Sequence, residues 1–346
     1  MLGHTGVCLR WLAAGDAQYP LRAALGTLVD AAFDTPCYRD SYPLVFGPQR
    51  RADICMLEQD GELAAALAVL PLHMSGHEDE GGPPRRALFA CIGSVCVRAS
   101  LRGQGLAKVL LAAVCRDLER AGYDGAGLFA ADHSLYAAVG FAPAQADRLC
   151  SIADLAAALR SCVPTPGAAG LTSLGIEVAW QRSQSLDQDT CRALWDLARQ
   201  SWSRGHLGIE VDYPMFVSAL CETPLQILTA RTPSMAATAN GERRLLGCLL
   251  FEKGADFQNT WHGALFADQD ARPALFAVVA AAHDLKPDSQ ILIDNVTMSL
   301  CGPYLPPALM TTVPTFMTKN FSQGSGARAA QSLDFAALSL PSLLSI

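Results

Sequence analysis

The sequence predicts an α/β (α+β) protein built from two similar domains. Its 346 residues are more than one ordinary hydrophobic core holds, which favours two domains. A strand, a glycine-rich loop and a helix follow one another over residues 92–120, and the second half repeats the first half's order of elements in pattern, not in residues. We expect domains over residues 1–165 and 170–322, followed by a C-terminal tail over residues 323–346.

The elements before the loop have clear patterns. Residues 7–12 predict a strand, and residues 21–33 have the apolar spacing of a helix. Residues 54–70 predict a hairpin, because Asp60-Gly61 is a typical two-residue turn between strands. The apolar, β-rich residues 92–97 then form the strand that leads into the loop.

The loop Arg102-Gly103-Gln104-Gly105 indicates an anion site. Glycines let a phosphate approach the backbone, and the helix that follows over residues 106–120 presents free N–H groups and a positive end. Arg102 adds a charged donor. The loop lacks the Lys-Ser/Thr of a P-loop and the three spaced glycines of the Rossmann fingerprint, so neither motif explains it.

A second pattern follows at a fixed distance. An apolar run over residues 126–131 is followed by Tyr136 and by a Gly140-Phe141 pair. Together with the loop pattern Arg102-x-x-Gly105-x-Ala107, this segment resembles the GNAT (Gcn5-related N-acetyltransferase) superfamily in its tandem-domain form, and the tyrosine segment resembles Eis-type acetyltransferases. The resemblance implies a strand, a short helix that carries Tyr136, and another strand that starts at Gly140-Phe141. The resemblance implies two tandem domains, each a mixed, mostly antiparallel sheet flanked by helices.

The resemblance also implies a site for acetyl-CoA or a longer acyl-CoA. Val95, Cys96 and Val97 would hold the pantetheine arm, and their N–H groups would polarise the acyl carbonyl. Tyr136 matches the family's tyrosine that protonates the leaving thiolate, and the unperturbed pKa of a phenol, about 10, exceeds that of a thiol by about 1.5 units. Ser134 is a weaker candidate for a cofactor contact. The residues expected to hold the pyrophosphate are Arg102, Gly103, Gln104, Gly105, Leu106, Ala107 and Lys108.

The general base stays open. Many members of the family carry a glutamate on the strand before the loop, but residues 90–94 contain no carboxylate. A water chain could take the amine's proton, as could the chain's own terminal carboxylate at Ile346, the device of Eis-type enzymes. The remaining side-chain options are Asp132, His133, His73 and Glu210.

The second half predicts a domain without a cofactor. It contains helices over residues 191–202 and 274–285 and strands over residues 225–230, 245–252, 260–267 and 290–296. Where the first half has its glycine loop, this half has Asp268-Gln269-Asp270-Ala271-Arg272-Pro273. Two carboxylates would repel phosphate, and no glycine opens the backbone. We expect a degenerate copy that shapes the acceptor site.

Composition excludes several classes of protein. The net charge of −7 and the lack of a basic stripe argue against nucleic-acid binding. Twelve cysteines without a CxxC pair predict buried thiols in a reducing cytoplasm. His206, Glu210 and Asp212 share no helix or strand face, so we expect no metal. We expect no membrane span and no signal peptide. Homo-oligomerisation stays open.

The leading interpretation is an N-acyltransferase that moves an acetyl or longer acyl group from coenzyme A to a primary amine by direct attack. The acceptor would be a small molecule or a peptide. One alternative keeps the chemistry but uses a fatty-acyl donor and a peptide or specialised metabolite from a natural-product pathway, which the mean hydropathy of +0.21 favours slightly. Another alternative is a non-catalytic acyl-CoA sensor or scaffold, which the missing strand glutamate favours and Tyr136 opposes.

Overall fold

A computed structural model gives the fold of the chain. It describes residues 7–16, 22–34, 38–76, 85–130, 132–144, 147–162, 176–202, 208–232, 243–254, 257–267, 271–293, 306–313, 316–321 and 344.

Both halves contain helices as well as strands. The first half contains β1 (Val7–Leu12), α1 (Arg22–Phe33), α2 (Pro43–Phe46), β2 (Asp53–Gln59), β3 (Glu62–Gly76), β4 (Arg85–Val97), α3 (Leu106–Arg120), β5 (Gly125–Phe129), α4 (Ser134–Ala137), β6 (Ala142–Pro143), β7 (Asp147–Ser151) and α5 (Ile152–Cys162). The second half contains β8 (Glu177–Arg182), α6 (Gln188–Trp202), β9 (Gly208–Glu210), α7 (Tyr213–Cys221), β10 (Gln226–Arg231), β11 (Leu245–Phe251), β12 (Thr260–Phe266), α8 (Ala271–Leu285), β13 (Gln290–Ile293), β14 (Thr311–Val313) and β15 (Phe316–Asn320).

These strands form two sheets with the same plan. The first has the order β1-β2-β3-β4-β5-β15-β6, with β9 added beside β3, and the second has the order β14-β7-β13-β12-β11-β10-β8. Each sheet contains one parallel pair, β4 with β5 and β12 with β13, and the remaining pairs are antiparallel. A single helix, α3 or α8, joins the two strands of each parallel pair. The predicted α/β class, with two mixed, mostly antiparallel sheets, is confirmed.

The halves exchange strands. β7, from the first half, pairs with β13 and β14 in the second sheet, while β15, from near the end of the chain, lies between β5 and β6 in the first. The sheets are therefore not separated by position in the chain. The expected division at residues 165–170 stays a prediction, since residues 163–175 lie outside the described residues, as does most of the expected tail.

Three apolar clusters hold the layers together. One lies between α3 and the first sheet, and another lies between the second sheet and the helices α5 and α8. The third draws on both halves and joins α1 and α2 to α6 and α7. Leu344 is fully buried in this shared cluster, so the chain returns to the centre of the molecule near its end.

Turn chemistry explains the hairpin between β2 and β3. Asp60 and Gly61 have φ angles of 53° and 81°, and positive φ at both central residues is what a type I′ turn requires. The sequence patterns predicted the described helices and strands up to α4, apart from the short α2, but β3 runs on to Gly76 instead of ending at residue 70, and β4 begins at Arg85 instead of residue 92. They gave no separate indication of β7, β8, β9, α7, β14 and β15.

Candidate acyl-CoA site

The first sheet opens where β4 and β5 diverge. Their parallel pairing runs from Phe89↔Gly125 to Ile92↔Leu128, whereas β4 continues to Val97. Within the described pairing, the last part of the β4 backbone is therefore left without β5 beside it. Such an open strand edge can hydrogen-bond an extended ligand as an added strand.

A bulge in β4 accompanies this opening. Pairing with β3 is Ala68↔Gly93 and then Ala66↔Cys96, so Ser94 and Val95 together face Leu67. Ser94 has φ of 50°, in the left-handed region that non-glycine residues seldom adopt. Its buried hydroxyl lies 3.2 Å from the hydroxyl of Tyr38.

The glycine loop after β4 leaves open space above a helix end. Gly103 and Gly105 have φ of 76° and 78°, and a Cβ added to either would meet no atom within 4 Å. α3 begins at Leu106 without a side-chain cap. The first N–H groups of a helix have no partner within it, so this end is built to receive an anion.

The side chain of Arg102 is engaged with the protein. Its guanidinium donates to the carbonyl of Val97 at 3.3 Å and to the carbonyl of Ala32, near the end of α1, at 3.3 Å. In this conformation Arg102 ties α1 to the start of the loop. The phosphate contact expected from its charge stays a prediction.

Tyr136 faces the loop from α4. Its ring is part-buried and packs edge-on against Phe141, with centroids 6.4 Å apart. Burial, and then the charge of Asp132, raise the pKa of the Tyr136 phenol. Asp132 accepts a 2.8 Å bond from the Ser134 backbone N–H, and hydrogen bonds from Ser134 lower the pKa of Asp132. The phenol is thus held in its protonated form.

These parts enclose one cleft of about 650 Å³. All the residues predicted for the cofactor and for catalysis line it except Gln104, which lies exposed at the turn. Further lining residues that the sequence did not indicate are Ala32, Phe33, Leu101, Leu135 and Ala138. Phe33 is the last residue of a helix that was predicted, but no sequence signal showed that it reaches this cleft.

The candidates for the general base are scattered. Asp132 and His133 lie beside α4, next to the cleft. His73 and Glu210 face each other across β3 and β9, where β3 pairs with Leu88 of β4. Val95 lies seven steps along the strand from Leu88, about 23 Å at the strand rise of about 3.3 Å per residue, so this pair does not reach the cleft. Ile346 lies outside the described residues.

The second sheet repeats the bulge. Gly263 and Ala264 of β12 together face Leu249, since pairing passes from Leu250↔His262 to Cys248↔Leu265. Gly263 has φ of 60°. Asp268 and Asp270 lie outside the described residues, so the absence of a second cofactor site stays a prediction.

The described part of the chain contains neither a metal cluster nor a membrane-length helix. No group of three or more histidine, cysteine, aspartate or glutamate side chains within it could hold a metal, and His206 lies outside it. No described helix is long and apolar enough to cross a membrane.

Comparison with known proteins identifies the family of the first half. Residues 28–144 match the family model described as an acetyltransferase (GNAT) domain. This range contains the open strand, the glycine loop and Tyr136. No curated protein sequence matches the chain.

Solved structures share the whole fold at low sequence identity. A probable N-acyltransferase from Enterococcus faecalis V583 is 14% identical, with a TM-score of 0.59 over 92% of this chain and 74% of that one. Eis1 from Mycobacterium abscessus is 13% identical, with a TM-score of 0.52 over 91% and 74%. A tandem GNAT protein from the clavulanic acid biosynthesis pathway is 15% identical, with a TM-score of 0.50 over 93% and 100%. Residues 28–144 are therefore a domain of the GNAT acetyltransferase family, in a chain with the tandem GNAT fold.

Proposed function

We propose that this protein is an acyl-CoA-dependent N-acyltransferase that moves an acetyl or longer acyl group to a primary amine by direct attack. The observation that carries the proposal is the single cleft in which the open end of β4, the glycine loop and Tyr136 meet. An amine acceptor and a thioester donor need such a meeting point, because both must be aligned before reaction.

The cleft suits the parts of coenzyme A in order. The pantetheine arm would lie along Val95, Cys96 and Val97, taking the place that β5 vacates. The pyrophosphate would lie at the start of α3, over Gly103 and Gly105, where open space and unpaired helix N–H groups favour negative charge. Lys108, exposed on the first turn of α3, adds a positive charge at the same end.

The chemistry follows from this placement. The amine nitrogen attacks the thioester carbon, the C–S bond breaks, and coenzyme A leaves as a thiolate. Backbone N–H groups of β4 would stabilise the developing oxyanion, and the Tyr136 hydroxyl would donate its proton to the sulfur. No carboxylate or histidine stands among the described residues that line the cleft. We therefore infer that the ammonium proton leaves through water.

A non-catalytic acyl-CoA sensor is the second candidate. The same absence of an acidic or imidazole side chain among the described lining residues favours it. The part-buried phenol of Tyr136 opposes it, because a binding protein has no use for a proton donor beside the sulfur. Nine of the cysteines in the described residues are free thiols, which suits a reducing cytoplasm, where acyl-CoA donors are found.

Two measurements test the proposal. Native mass spectrometry of the purified protein should reveal a bound acyl-CoA and give its chain length. Thiol release from a panel of acyl-CoA donors should then depend on added primary amines. Binding without amine-dependent thiol release across the panel would favour the sensor, and a long acyl chain on the bound donor would favour a fatty-acyl transferase.

A further inference from the structure

The bulge in β4 is the feature that the proposed reaction leaves unexplained. It lies at Ser94, directly before the three residues that line the cleft. A left-handed conformation is costly for serine and persists only where the surroundings hold it. The structure must therefore contain what holds Ser94 in place.

The second sheet provides an internal comparison. Gly263 occupies the same place in β12, on the strand before the crossover helix and opposite the middle of the neighbouring strand. Its φ of 60° is close to the 50° of Ser94. Glycine adopts this conformation without a steric penalty, so a bulge at this place needs no side-chain partner to hold it when the residue is glycine.

Ser94 has a partner that glycine cannot have. Its hydroxyl lies 3.2 Å from the hydroxyl of Tyr38, and both side chains are buried. The Tyr38 ring stacks face to face on Phe33, with centroids 4.0 Å apart and planes 4° apart. Phe33 ends α1 and lines the cleft together with the end of β4. The contacts Ser94–Tyr38–Phe33 thus connect two parts of the cleft wall.

We propose that Tyr38 and Ser94 are positioning residues: their hydrogen bond holds the β4 bulge so that the backbone of Val95–Val97 is fixed against the acyl group. The inference rests on the proposed function, because it assigns a catalytic purpose to that backbone. Neither side chain takes part in bond making. Their effect is on the hydrogen bond that polarises the thioester carbonyl.

The test measures how a set of variants changes the carbonyl group of bound acetyl-CoA. Acetyl-CoA with carbon-13 at the carbonyl is bound to the full chain, and its stretching frequency is measured by isotope-edited infrared spectroscopy. Ser94→Ala and Tyr38→Phe should move the frequency back toward that of free acetyl-CoA, and turnover with the amine panel should fall about tenfold. Acetyl-CoA affinity, measured by calorimetry, should change much less.

Glycine at position 94 is the decisive variant. Ser94→Gly should give a carbonyl stretching frequency closer to that of wild type than Ser94→Ala does. The double variant Ser94→Gly, Tyr38→Phe should have the same carbonyl frequency as Ser94→Gly alone. If Ser94→Gly is as damaging as Ser94→Ala, the hydroxyl acts directly and the proposal is wrong. Unchanged frequencies in Ser94→Ala and Tyr38→Phe also overturn it.

Tyr42→Phe is the matched control. Tyr42 is equally buried, and its ring lies 4.6 Å from that of Tyr38, but the hydroxyl that reaches Ser94 belongs to Tyr38. This variant should lower the free energy of unfolding and leave the carbonyl frequency in place. Failure of wild type to bind acetyl-CoA at all would instead count against the proposed function, so the two failures are distinct.

Discussion

Lys319 Nζ donates a 2.7 Å hydrogen bond to the carbonyl oxygen of Val139. Lys319 belongs to β15, which comes from near the end of the chain, and Val139 follows α4, which carries Tyr136. The same lysine side chain lies 3.5 Å from where a Cβ on Gly140 would be. The exchanged strand therefore fixes the segment that presents the expected proton donor.

Lys319→Met should loosen α4 without touching the loop. A part-buried hydrogen bond from a charged donor contributes about 1.5 kcal/mol or more, so the free energy of unfolding should fall by about that amount in urea titrations. Turnover should fall while acetyl-CoA affinity holds. Arg120→Met, which removes an exposed cation from the end of α3, is the control. Equal changes in the free energy of unfolding and in turnover for the two variants would contradict the role of Lys319.

Gly105→Glu should abolish coenzyme A binding. It places bulk and negative charge where we expect the pyrophosphate, at the start of α3. Gly122→Glu is a close control: Gly122 follows the other end of α3, has φ of 85°, and also has open space where a Cβ would lie. Both variants carry the same backbone strain. Calorimetry should show loss of acetyl-CoA affinity in the first only, and retained affinity in Gly105→Glu would refute the loop's role.

Tyr136→Phe should lower turnover by about 10²-fold, the low end of general acid–base contributions. The ring and its packing on Phe141 remain, so acetyl-CoA affinity should barely move. Tyr123→Phe removes another part-buried phenol whose pKa burial also raises, but Tyr123 lies outside the cleft. It should retain turnover. Wild-type rates for Tyr136→Phe, with chemistry limiting, would show that the proton comes from elsewhere.

The alkaline limb of the pH–rate profile should report on the same phenol. Burial, and then the charge of Asp132, raise the pKa of Tyr136, so its protonated, active form persists above the pH at which a free phenol ionises and is lost as the pH rises through the raised pKa. Asp132→Asn removes a neighbouring negative charge. This removal favours the phenolate and therefore lowers the pKa of Tyr136. The downturn should move to lower pH when rates are compared with the same amine. A shift in the opposite direction would exclude Tyr136 as the titrating group.

The sequence predicted what local chemistry dictates. Asp60-Gly61 predicted the turn between β2 and β3. Gly103 and Gly105 predicted a loop, and both have positive φ angles that glycine adopts without strain. The resemblance to the GNAT family predicted Tyr136 on a short helix, and in the structure this tyrosine lies on α4 and lines the same cleft as the loop. Each of these features depends on residues that are close together in the chain.

Long-range pairing was beyond such reasoning. The five residues of β15 are two apolar residues followed by three polar ones, and nothing in them selects β5 and β6 over the strands of the second sheet. The direction of Phe33 depends on how α1 packs against the finished sheet. Ser94 did carry a signal, since a polar residue interrupts an apolar strand, although its partner Tyr38 lies 56 positions away.

The exchange of β7 and β15 also sets the order in which the molecule can be completed. During synthesis β5 and β6 leave the ribosome long before β15, which is to lie between them, so the first sheet cannot be completed until Asn320 has been made. Until then it presents an unsatisfied edge beside the segment that bears Tyr136. A nascent or truncated chain would thus have the glycine loop before the segment that bears Tyr136 is fixed. Under the proposed function, catalytic competence arrives only with the closing strand β15.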